Sequence, residues 1–135
     1  MDRIDPKTAA RVWERVHALP TPGLDTNRLL PLIREEWLDI LICKHLGLST
    51  ERSQENIACL KGIYRILTGS LPRMTQPQWK QEKPPLLLRQ SFDRRMGLFA
   101  QYEALQADLR FGPVFGRLAA VSQAQACKVL EILGK

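Results

Sequence analysis

Histidine, cysteine and aromatic residues are scarce in this chain, and each scarcity argues against a class of chemistry. Only His17 and His45 offer imidazole, three cysteines (Cys43, Cys59, Cys127) offer thiols, and aromatic residues make up 7% of the 135 residues. The cysteines are widely spaced and form no CxxC pair. That argues against a zinc ribbon or a disulfide framework and fits a reducing cytoplasm. Serines without a neighbouring histidine lack the base that would activate them as nucleophiles. No apolar run reaches the roughly 20 residues needed to cross a bilayer, so no membrane partner is expected. The opening MDRIDPKTAARVW has no apolar core and carries acids, so no secretory signal is expected. No stretch sustains the alternation of a strand.

What is present suits one helical domain. The composition is 44% hydrophobic and 25% charged, ordinary for a globular chain with a single core. The net charge of +6 could favour nucleic acid, an acidic partner or an anionic surface. Its bases are interspersed with acids. The densest group, Lys80, Lys83, Arg89, Arg94 and Arg95, contains Glu82 and Asp93. No aromatic-rich or helix-turn-helix reading motif accompanies it, so it reads first as a solvated face.

Helix signals divide the chain. Asp5-Pro6 reads as a cap and first turn, predicting a short helix with Ala9, Val12, Trp13 and Val16 on one face, ended by Pro20, Pro22 and Gly23. Residues 1–24 are thus expected to form an N-terminal helix and linker, and residues 25–135 the bundle. Pro31 is expected to open the first main helix, which stops at Gly47. Ser49 and Thr50 precede a second, from about Glu51 to Leu67, ended by Gly69. A proline-rich stretch at about 70–85 has no period and reads as an extended crossover. Pro84 and Pro85 lead into a third helix, about Leu86 to Asp108, and Gly112-Pro113 starts the fourth. At about 3.3 Å per residue the crossover reaches roughly 50 Å, more than the roughly 30 Å of a 20-residue helix. Short, long, short connections describe a four-helix bundle with a single long crossover.

Each main helix carries a seam at three- and four-residue spacing. The seams are Leu29, Ile33, Glu36, Ile40, Cys43; then Ser53, Asn56, Leu60, Ile63, Leu67; then Leu88, Phe92, Arg95, Phe99, Tyr102; and Phe115, Leu118, Ser122, Gln125, Val129, Ile132. All are apolar except at one level, occupied by Glu36, Ser53 with Asn56, Arg95, and Ser122 with Gln125. Glu36 to Leu46 and Arg95 to Leu105 share a period, as do the two i, i+3 pairs, which hints at an internal duplication.

This arrangement resembles the bacterial ferritin-like, rubrerythrin-related family. In that architecture two helices each offer a Glu and the other two each a Glu-x-x-His. IREEWLDILICKHL is similar to the family's first Glu-bearing helix, with Glu36 at the ligand position and Cys43 where a Tyr is usual. SQENIACLKGIYRILTG and FGPVFGRLAAVSQAQACKVLEILG resemble the second and fourth, and RRMGLFAQYEAL, with Tyr102, the third. The resemblance covers about Leu29 to Gly134 apart from the crossover. It implies former ligand positions at Glu36, Ser53, Asn56, Arg95, Ser122 and Gln125. Five of the six no longer carry the family's residue. Two hard cations in a bundle need about four carboxylates, so loss of di-iron binding and catalysis is the expectation, with no cofactor and no catalytic residue.

Glu36 stays open between a surviving ligand, a rim residue beside Glu35, and a buried acid paired with Arg95, the pair being preferred. His45 is expected to point outward. Cys43 and Cys59 read as inert core thiols, and Tyr64 and Tyr102 as core residues with satisfied hydroxyls. The expected role is a structural or partner-binding ferritin-like module. The alternatives are a metal-binding or oxidoreductase protein with an unorthodox site of Glu36, Glu55 and water, and a small basic nucleic-acid-binding protein. Trp37, Leu38, Leu41 and Ile42 lie off the Glu36 line, so a homodimer or the N-terminal helix is expected to cover them.

Overall fold

Asp25 starts the first helix: its Oδ1 accepts the Asn27 N–H at 3.0 Å, satisfying one of the orphan donors of a first turn. A computed structural model describes residues 25–134, so the reading of residues 1–24 as a short helix lies outside the described residues. The described residues form four helices and no strand. These are α1 (Thr26–His45), α2 (Glu51–Thr68), α3 (Pro84–Leu105) and α4 (Gly112–Leu133). α1 begins before Pro31, which lies inside it. The expectation that Pro31 opens the helix is corrected by Asp25, whose cap starts the turn earlier. Pro31 is exposed, so its ring and missing N–H face away from the packed side.

Gly69 ends α2 in the left-handed region (φ 79°), its N–H bonding Arg65 O, a conformation glycine adopts without steric cost. Pro84 and Pro85 occupy the first positions of α3, where a missing N–H leaves no intrahelical bond unmade. α3 stops at Leu105 rather than Asp108. The buried Asp108 carboxylate accepts the N–H groups of Arg110 and Phe111, both at 2.8 Å. This local bonding competes with continued helix and turns the chain into α4. Gly112 sits hard against the Gln106 carbonyl, which a Cβ would strike. Gly112→Ala should therefore lower stability by about 1–3 kcal/mol, the usual cost of forcing an extra carbon into a packed site, measured by urea unfolding.

Side-chain pairings set the directions. Glu36 of α1 meets Arg95 and Tyr102 of α3, and Asp39 meets Ser91. As α1 advances, α3 retreats, so the two are antiparallel. α1 packs on α2, α3 on α4, and α1 faces α3. The chain between α2 and α3 runs along α1 in the same sense. Residues 73–78 lie opposite Asn27 to Glu35, and the Trp79 ring meets His45 edge-on at 5.1 Å. This is the long crossover that the connection lengths imply. It runs over the side of α1 opposite Glu36, where helical rotation also places Leu38 and Leu41. Those two and Trp37 are half-buried, and Ile42 is buried.

The apolar core gathers Leu29, Leu32, Ile33, Leu60, Ile63, Leu98, Leu105, Phe115 and Leu118 toward the end where α1 begins and α4 begins. Each such side chain contributes about 1.5–3 kcal/mol on burial. Tyr102 stacks on Phe115 at 6.4 Å between centroids. Ile40, Leu87, Ala126 and Val129 are buried beyond the polar level, so apolar layers flank that level on both sides. The third seam needs correcting. Leu87, Ser91 and Leu98 are buried, whereas Leu88, Phe92 and Phe99 are half-buried. The fourth seam keeps Phe115, Leu118, Ser122 and Val129 buried but leaves Ile132 exposed.

Candidate functional site

Arg95 projects from α3 into the middle of the bundle and is fully buried. A guanidinium has five N–H donors and no acceptor, so in this place each needs a partner. Nε donates to Asp39 Oδ2 at 2.7 Å. One terminal nitrogen, Nη1, donates to Glu36 Oε2 and to Gln125 Oε1, each at 3.0 Å. The other, Nη2, donates to Ser53 Oγ at 2.8 Å and pairs with Asp39 Oδ2. All three guanidinium nitrogens donate, to residues from the other three helices.

The carboxylates are satisfied as well. Glu36 Oε1 accepts from Tyr102 OH at 2.9 Å and from Asn56 Nδ2 at 3.1 Å. Asp39 Oδ1 accepts from Ser91 Oγ at 2.7 Å and from Arg94 Nη1 at 2.8 Å. Gln125 Nε2 also donates to Ser53 Oγ at 3.0 Å. Glu36 and Asp39 balance Arg95 and Arg94, so the buried cluster is neutral. Arg94 reaches outward to half-exposed Glu35 at 3.5 Å.

Burial is the largest influence on Glu36 and pushes its carboxyl above the usual range, while Arg95, Tyr102 and Asn56 pull the other way. Burial also opposes the charge on Arg95, but Glu36 and Asp39 outweigh it and raise its pKa. The Tyr102 hydroxyl is held well above its ordinary value by burial and then by Glu36. It is therefore a hydrogen-bond donor at neutral pH rather than a phenolate. Cys43, buried beside Asp39, is pushed up to about 12, first by desolvation and then by that negative charge. Its thiol faces Asp39 Oδ2 at 3.6 Å. Thiolate is the reactive form, so iodoacetamide at pH 8 should label exposed Cys127 and leave Cys43 unmodified in folded protein, as peptide mapping would read.

Of the six interior polar positions, the fold joins Glu36, Ser53, Asn56, Arg95 and Gln125 in one network. Ser122 is buried at the same level, but its Oγ has no partner among the described residues. Asp39, Ser91 and Arg94 were missed. Asp39 stands at i+3 from Glu36, the same spacing as the paired positions on the second and fourth helices, and that spacing was the available signal. Asp39 changes the charge count: Arg95 answers two carboxylates, not one.

The remaining candidates separate. Glu55 is exposed on α2 and is not brought to Glu36, and His45 is exposed at the end of α1. The densest basic group loses two cations to the interior, since Arg95 is buried and only 10% of the Arg94 side chain is accessible. Among the described residues no group of three or more His, Cys, Asp or Glu is placed to hold a metal ion. The Glu36 level does not fit a pair of divalent ions. Its two carboxylates already carry hydrogen bonds on every oxygen, and a fixed guanidinium charge stands between them. Comparisons with family models, curated proteins and solved structures give no match to this chain.

Proposed function

We propose that this chain is a degenerate ferritin-like bundle, related to the rubrerythrins, that has lost di-iron binding and catalysis and serves as a structural or partner-binding module. One observation carries the reading: the Arg95 guanidinium, hydrogen-bonded to Asp39, Glu36, Gln125 and Ser53, occupies the interior level to which the resemblance assigns that family's ligands. A built-in cation there does electrostatically what a metal would do, holding the carboxylates of α1 against α3. It offers no open coordination position for a substrate. The Tyr102 hydroxyl and the Cys43 thiol are both held in their protonated forms, the less nucleophilic ones.

Elemental analysis of protein purified without chelator tests this. Iron, manganese and zinc are expected well below one ion per chain. Near-stoichiometric metal whose anomalous signal lies beside Glu36 would overturn the reading and favour an oxidoreductase. A second copy of the chain belongs to the same proposal as one partner. Static light scattering is expected to report the dimer mass, and a monomer mass at high concentration would remove it.

A further inference from the structure

The outer side of α1 and the crossover enclose an open groove. Leu30, Pro31 and Arg34 stand on one wall, and the segment from Arg73 to Gln78 forms the other. Pro31 has no N–H, so the Asn27 carbonyl in the same wall lacks its intrahelical donor. Across the groove, the backbone from Arg73 to Gln76 makes no backbone hydrogen bond among the described residues. Met74 packs inward against the core, while its neighbours Arg73 and Thr75 are exposed. Pro72 and Pro77 bracket this stretch and confine any pairing to the residues between them.

The charge of the groove is one-sided. Among the described residues Glu35 is its only acid, and Arg94 already pairs with it from the buried cluster. Arg34 and Arg73 are exposed and have no carboxylate partner among the described residues. We propose that the groove binds an extended, acidic segment of a partner protein. Its backbone pairs with Arg73–Gln76 as an added strand, and its carboxylates meet Arg34 and Arg73. An extended peptide matches unpaired backbone that a compact ligand would leave unused. The chain's own first 24 residues suit the groove less well, because their four basic side chains outnumber their three acidic ones. The proposal rests on the reading of this chain as a binding module and names the chemistry of its partner.

Fluorescence anisotropy with the full chain and a fluorescein-labelled peptide of alternating Glu and Val tests it. Saturable binding is expected in low salt, weakening several-fold at 0.3 M salt as exposed charges are screened. Arg34→Ser with Arg73→Ser should weaken it at least tenfold. Thr75→Pro, which removes one backbone donor without changing charge, should weaken it about as much as loss of one neutral backbone hydrogen bond does, roughly threefold to tenfold. Circular dichroism verifies that both variants remain folded. Absence of saturation up to about 1 mM, binding unchanged in either variant, or equal displacement by single-stranded DNA of the same charge would overturn the proposal. So would a carbodiimide cross-link between Lys7 and Glu35 in the free chain, which would give the groove to the chain's own N-terminal segment. Metal at Glu36 would refute the non-catalytic reading without altering this titration, so the two failures are distinguishable.

Discussion

Arg95→Ala should lower the unfolding free energy by about 3–5 kcal/mol, the range for removing one partner of a buried ion pair. The physical reason is what remains. Glu36 would keep Tyr102 and Asn56 but lose the charge opposite Oε2, and Asp39 would lose a hydrogen bond and its ion-pair contact with Arg95. Both carboxylates would stay in a place that water does not reach, since Glu36 is 0% and Asp39 2% exposed. Urea unfolding measures the loss. Its pH dependence has a definite sign. Burial already raises the Glu36 pKa, and removing Arg95 deletes the largest opposing influence. A carboxyl whose folded pKa lies above its unfolded value contributes stability that is complete below the unfolded pKa, and loses it as pH rises through the folded one. The variant's deficit should therefore be smallest near pH 4 and grow toward neutrality. A deficit below about 1 kcal/mol at pH 7 would mean that the cluster opens to solvent when the guanidinium is removed.

Asp39→Ala should cost a comparable amount, about 3–5 kcal/mol, and more than Glu36→Gln. Asp39 accepts from Ser91, Arg94 and Arg95. Its removal leaves Nε of Arg95 and the Ser91 hydroxyl without acceptors in the interior, where each unmet donor costs about 1–3 kcal/mol. Glu36→Gln keeps an acceptor oxygen for Tyr102 and Asn56 and loses mainly the charge facing Arg95. Asp39 also alters the expected outcome of apolar replacement. Replacing Glu36 and Arg95 alone would strand Asp39 against Arg94, so this double variant should remain destabilised. Replacing Glu36, Asp39 and Arg95 together by leucine or methionine should recover most of the loss, because a well-packed apolar set often equals or exceeds a buried ionic one. Urea midpoints for the single, double and triple variants give the comparison. A triple variant no more stable than Arg95→Ala would mean that the polar set is needed to specify the packing of the four helices.

The chain's helical character and most of its borders were legible because they rest on local chemistry. Proline at the start of α3, glycine at the end of α2 and the three- and four-residue spacing of Leu, Ile and Phe act within a turn or two. The phase of the seams also placed Glu36, Ser53, Asn56, Arg95 and Gln125 at one level, since a bundle repeats every turn along its axis. Where local cues competed, the tertiary structure decided. Pro31 suggested a start, but the Asp25 cap and the buried face of Leu29, Leu32 and Ile33 carried the helix through it. Asp108 looked helical until its carboxylate took the N–H groups of the next turn. On α3, one step of rotation separates Leu87, Ser91 and Leu98 from Leu88, Phe92 and Phe99, and spacing alone could not choose between two apolar stripes.

By itself the sequence determined an all-helical chain with short, long and short connections and one polar level in otherwise apolar seams. Those properties depend on residue type and separation along the chain. Only the tertiary structure decided that Asp39, rather than Ser122, completes the bonding of Arg95. It also decided that the crossover lies along the back of α1, leaving a basic groove beside it. These depend on which helix stands opposite which, and at what rotation. A change of about 100° per residue around a helix axis moves a side chain from the interior to solvent with no trace in the spacing of its neighbours.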